Sequence, residues 1–133
     1  MAVTLGSEGA AYRPGACNIG RAEIAARRRI GIVQLILAVA IGAVLVVLDT
    51  PPWTRIVVWP LLAAAFVTLE QVRRRFCVAF GFAGIRNFGQ LGQAERIEDA
   101  AARAADRRAS LLMVTYCALA AAAVTAVFVG IPG

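Results

Sequence analysis

Residues 30–48 read IGIVQLILAVAIGAVLVVL. No charge interrupts this run, and as a helix it extends about 28 Å, close to the thickness of a bilayer's hydrocarbon core. Its one strongly polar residue, Gln34, lies near the arginine end, where an interfacial place or a bond to a neighbouring helix is expected. Two further apolar runs follow, over residues 53–72 and 111–131. Hydrophobic residues make up 60% of the 133-residue chain, above the roughly 45–50% of soluble domains. They are bunched into runs instead of being spread at core spacing. These features predict an all-α integral membrane protein with three transmembrane helices and a small cytoplasmic cap.

Outward from the first run, Asp49-Thr50-Pro51-Pro52 forbids helix continuation, so spans one and two form an antiparallel hairpin. Trp53 and Trp59 fit an aromatic belt at the outer end of span two, and Pro60 is a candidate kink. On the other side of the first run, Cys17-Asn18-Ile19-Gly20 leads into a short basic helix. Asn18 or Gly20 can cap it, with Glu23 in its first turn. Residues 1–16 lack periodicity and read as a mobile N-terminal tail, with residues 17–133 forming a single domain. No signal peptide fits, because the first apolar run starts late and is too long.

Between spans two and three lies EQVRRRFCVAFGFAGIRNFGQLGQ, residues 70–93. Phe76 and Phe80, four residues apart, predict that helix two continues past its arginines to a glycine stop at Gly81. Irregular chain follows to Gln93. Residues 94–110 predict a polar helix carrying an Asp99–Arg103 pair, with Arg96, Asp99, Arg103, Asp106 and Arg107 on a solvated face. Gly20-Arg21-Ala22-Glu23 and Gly92-Gln93-Ala94-Glu95 each read as a helix start, two ordinary starts in an Ala/Arg-rich chain or one turn built twice. An Asn-apolar-Gly triplet accompanies each, at residues 18–20 and 87–89.

The net charge of +6 comes from arginine alone, since the chain has no lysine, and histidine is also absent. This removes the usual general bases and the Ser-His-Asp and Ser-Lys hydrolytic machinery, and no enzyme activity is expected. All arginines except Arg55 flank the spans on one side, which the positive-inside rule makes cytoplasmic. The N-terminus is then cytoplasmic and the C-terminus outside, in a multi-pass bacterial inner-membrane protein. Basic clusters placed at span ends point to anionic lipid headgroups and not to nucleic acid. No acid or base lies inside the apolar part of any span, Glu70 being at the end of the second, which argues against an ion pathway.

The candidate lipid or partner contacts are Arg27, Arg28, Arg29, Arg73, Arg74, Arg75, Phe76, Phe80, Phe82 and Phe88. Cys17 and Cys77 fall on the same side and are the candidates for a thiol-based metal or redox site. Two thiolates without histidine leave such a site incomplete. Cys117, within span three, reads as packing, and no cofactor is implied.

Cys17-Asn18-Ile19-Gly20, Ala22-Glu23-Ile24, Phe76-Cys77-Val78-Ala79-Phe80-Gly81 and Asn87-Phe88-Gly89 together resemble a family of small bacterial membrane proteins, over roughly Tyr12 to span three. The resemblance implies no activity or ligand, only that the two motif regions belong together. The expected function is that of a non-enzymatic accessory or scaffolding subunit of an inner-membrane assembly. It would pack through its helices, against other membrane subunits or its own copies, and dock by the Arg/Phe/Gly segment. The alternatives are the thiol site and anionic-lipid binding.

Overall fold

The computed structural model describes residues 12–132. Helix α1 spans Arg21–Val47 without a break, so the short basic helix and the first apolar run are one element. A turn and a 3-10 helix, Pro52–Val57, lead into α2, Val58–Arg74. A short helix α3, Val78–Ala83, precedes two-residue strands β1, Ile85–Arg86, and β2, Glu95–Arg96. The strands pair antiparallel, Ile85 with Arg96 and Arg86 with Glu95. Helix α4 covers Ala100–Gly130. Three helical stretches, Arg21–Val47, Pro52–Arg74 and Ala100–Gly130, are long and apolar enough to cross a membrane.

The helices meet along narrow seams of small residues. In α1 the buried positions are Glu23, Gly31, Ala38 and Gly42, all on one face. A Cβ on Gly31 would lie 2.6 Å from the Leu69 side chain, so glycine sets how closely α1 approaches α2. Ala38, Val58, Leu62 and Ala121 form one core cluster; Phe76, Val78, Met113 and Cys117 form another at the arginine-rich end. No more than 28% of any of the three apolar windows is buried within the protein. Most of their aliphatic surface therefore faces outward, as helices solvated by lipid require.

Several local expectations give way to tertiary structure. Helix two does not run on through Phe76 and Phe80. It stops at Arg74, and Arg75 takes the left-handed conformation (φ 57°) that reverses the chain. Gly81 is inside α3, packed against Ser110 and the Asp106 carbonyl of α4. The left-handed C-cap is Gly84 (φ 74°) instead. The second supposed helix start does not open a helix, because Glu95 lies in β2. Helix α4 begins at Ala100 with Asp99 as its N-cap, accepting from the Ala102 N–H at 3.2 Å. Asp99 is thus not the partner of Arg103, whose guanidinium donates to the Ile97 and Glu98 carbonyls. Pro60 falls in the first turn of α2, where its missing N–H costs no helical bond.

Within residues 1–16, those at 12–16 hold a defined place. Arg13 and Cys17 form a bridge across a tight turn that rests against Ala105. The remainder of that stretch, residues 1–11, lies outside the described residues.

Candidate functional site

The arginine-rich end of the bundle is closed by a polar cap assembled from three separate chain segments. Asn18 is the centre of it and is fully buried. Its side-chain oxygen accepts from the Cys77 N–H at 2.7 Å, and its amide donates to the Cys77 carbonyl at 3.2 Å. The side chain thus pairs with a peptide unit much as a neighbouring strand would. Its backbone N–H, with that of Ile19, donates to the Arg75 carbonyl, which holds the left-handed turn at the end of α2.

The two Asn-apolar-Gly triplets pair with each other. Ile19 and Asn87 form a parallel bridge, with the Asn87 N–H donating to the Asn18 carbonyl at 3.0 Å and the Gly20 N–H donating to the Asn87 carbonyl at 2.9 Å. Gly20 permits this approach, because a Cβ there would sit 2.9 Å from the Phe88 Cα. The Asn87 amide donates to Glu23 Oε2 at 2.7 Å and to the Gln90 carbonyl, while its oxygen accepts from the Gly89 N–H. Glu23 is buried and its other oxygen accepts from Arg27. Arg27 also donates to Cys77 Sγ at 2.9 Å and lies over the Phe80 ring.

A second buried carboxylate anchors the N-terminal turn. Asp106 is fully buried on α4, not on a solvated face. Its two oxygens accept from the Gly15 N–H at 2.6 Å and the Tyr12 hydroxyl at 2.9 Å. Burial, and next the bond to Asp106, push the Tyr12 phenol well above its ordinary range. Gln71 accepts from the Val78 N–H, and the Ser110 hydroxyl donates to the Val78 carbonyl. Both buried carboxylates are therefore spent on holding the cap together.

The residues singled out from sequence divide accordingly. Phe76 is inside the protein, while Arg27 and Phe80, which lies beneath it, are half-buried. Arg28, Arg29, Arg73, Arg74 and Arg75 are exposed, although Arg73 and Arg74 both pair with Glu70. Phe82 is exposed, and Phe88 is half-buried beside Gly20. Cys17, Cys77 and Cys117 are buried and form no disulfide among the described residues. Burial pushes the Cys17 thiol up, against the lowering pull of Arg13 and Arg75. No group of three metal-ligating side chains exists among the described residues, and the Cys77 sulfur already accepts a bond from Arg27.

Two important side chains were not singled out. Asp106 belongs to the stripe Ala102, Asp106, Ser110, Met113 and Cys117, whose spacing marks a buried helix face. At the opposite end of the bundle, Arg55 is buried and donates to the Phe128 and Ile131 carbonyls, both at 2.8 Å. It also lies over the Phe128 ring. It caps the carboxyl end of α4, where free carbonyls and the helix dipole favour a cation. The only sequence signal was its isolation, as the one arginine on that flank. Gln34, by contrast, has a buried side-chain oxygen with no partner among the described residues.

Fold and site together define a helical bundle with three membrane-length helices, closed at its basic end by a hydrogen-bonded cap. No protein-family model, curated protein or solved structure matches the chain. Its functional reading therefore rests on its own residues.

Proposed function

We propose that this chain is a non-enzymatic accessory or scaffolding subunit of a bacterial inner-membrane assembly, with its arginine-rich cap in the cytoplasm. The observation that carries the reading is an apolar groove of about 490 Å³ between the 3-10 helix, α2 and α4. Ile56 and Trp59 line it from one side, and Ala122, Ala126 and Val129 from α4. Ala118, Ala122 and Ala126 recur every four residues, the small-residue spacing that lets a second helix backbone come close. Thr125 also lines the groove, and its hydroxyl is buried with no partner among the described residues. A transmembrane helix of another subunit would fill the groove and could offer that hydroxyl a carbonyl. The cap, whose buried Asn18, Glu23, Asn87 and Asp106 side chains are all hydrogen-bonded within the protein, serves as an end-plate. The Phe/Gly segment contributes to that plate from within, leaving Phe82 as its outward phenylalanine.

The test is purification from native membranes in mild detergent, comparing the wild type with Ala122→Leu, which fills the groove. A partner that co-purifies in fixed ratio with the wild type and is lost from the equally abundant variant supports the proposal. A monomer in both preparations, carrying lipid alone, contradicts it. Orientation is tested separately. With the cap cytoplasmic, Trp53→Cys reacts with a membrane-impermeant maleimide added outside intact cells, and Arg108→Cys does not.

A further inference from the structure

A pocket of about 580 Å³ opens beside the cap, between the amino end of α1 and the carboxyl end of α2. Arg21, Arg28, Arg73 and Arg75 all line it, and no acidic side chain does. Only Arg73 among these four has an ion-pair partner among the described residues, namely Glu70. Like charges gathered round one cavity repel, so the arrangement is unfavourable until an anion enters. We propose that this pocket is a binding site for a phosphate group carrying two or more negative charges.

Three observations support the assignment. Guanidinium forks match phosphate oxygens in geometry and stay charged even when crowded together, whereas an ammonium group's pKa falls readily in such a setting. The amino end of α1 contributes Gly20 and Arg21 to the lining, which adds the positive end of a helix dipole. The third concerns Arg75, which holds a left-handed backbone conformation at the end of α2. Glycine adopts that conformation freely, whereas another residue is strained by about 1–2 kcal/mol. The side chain of this strained residue is one of those that line the pocket.

The phosphate has two possible sources. With the helices as membrane spans, Arg28 and Val72 place the pocket where headgroups meet hydrocarbon, so the group could belong to a phosphomonoester headgroup such as that of phosphatidic acid. It could equally belong to a soluble phosphate compound entering from the cap side. The chemistry of the site is the same in both cases, and it is independent of any occupant of the Ala122 groove.

The test uses the full chain in nanodiscs of neutral phosphatidylcholine, titrated with inorganic pyrophosphate, and in nanodiscs containing phosphatidic acid. The read-outs are calorimetric binding and the unfolding temperature. The variants are Arg75→Gly, which removes a pocket charge while relieving the backbone, and Arg28→Gln. Arg108→Gln, exposed on α4 and outside the pocket, is the control. The expected result is saturable binding that weakens by about tenfold or more in each pocket variant and stays within about twofold in the control. Saturable pyrophosphate binding in neutral discs identifies a soluble phosphate. Stabilisation by phosphatidic acid alone, lost in the pocket variants, identifies a headgroup. Binding in neither arm overturns the proposal. So does equal weakening by Arg108→Gln, which marks diffuse surface charge, or full retention by both pocket variants.

Discussion

Asn18 and Asn87 meet beside the isolated parallel bridge of Ile19 with Asn87, where the Asn87 N–H donates to the Asn18 carbonyl at 3.0 Å. Their side chains point to different tasks. Asn18 clamps the Cys77 peptide and so fixes the reversal after α2, while Asn87 holds Glu23 at the start of α1. Two similar triplets far apart in sequence thus form the two halves of one junction.

Replacing Asn18 with alanine leaves the Cys77 N–H and carbonyl buried without their partners. The expected cost is about 3 kcal/mol, since each orphaned buried group costs about 1–3 kcal/mol. Thermal unfolding in nanodiscs measures it. An Asn18→Ala protein as stable as the wild type would mean that the cap does not depend on this clamp.

Gly20→Ala tests the closeness of the junction. The added Cβ would meet the Phe88 Cα at 2.9 Å and its carbonyl oxygen at 3.0 Å, backbone atoms that cannot rotate away. Overpacking of this kind costs about 1–3 kcal/mol. Gly130→Ala, with nothing within 4 Å of the new Cβ, should be near neutral. Equal unfolding temperatures for the two variants would refute the close approach.

The opposite end of the bundle depends on Arg55. Arg55→Met removes two charge-assisted bonds to the Phe128 and Ile131 carbonyls, each class of bond contributing about 1.5–3 kcal/mol. Hydrogen exchange should quicken in the last turn of α4 while the cap remains protected. Unchanged exchange at Phe128 and Ile131 would deny Arg55 its capping role.

Much of the architecture could be read from composition alone. Residues 30–47 form part of a long helix because no charge or proline interrupts them, and the basic flank joins it for lack of any breaker. The cap was harder to read because its geometry is tertiary. Arg75 is an unlikely residue for a left-handed turn, and only the Asn18 and Ile19 N–H groups on its carbonyl reveal why the chain reverses there. Local propensity instead pointed to Gly81, which is needed for contact with α4. The same holds at Ile97. Its burial and its N–H bond to the Gly84 carbonyl draw residues 95–97 away from the helix that their composition suggests. The recurrence of the Asn-apolar-Gly triplet was visible, but resemblance between two segments cannot distinguish repetition from pairing.

Docking of the N-terminal turn is expected to weaken at high pH. The Tyr12 phenol is raised above its ordinary value of 10.0, first by burial and then by its bond to Asp106. Its contribution is therefore complete below pH 10 and is lost as the pH rises towards the elevated folded value. In a Tyr116→Phe background, ultraviolet titration should show Tyr12 ionising late in the folded protein and near pH 10 after unfolding. Coincident titrations would show that the phenol does not hold the turn.

The accessory-subunit reading is tested most directly by photo-cross-linking in native membranes. A photoreactive residue is placed at Ala126, in the groove, and in a second protein at Val39, on the exposed face of α1. The account predicts one protein adduct of discrete mass from position 126, abolished by Ala122→Leu, and only lipid adducts from position 39. Lipid adducts alone from both positions would contradict it.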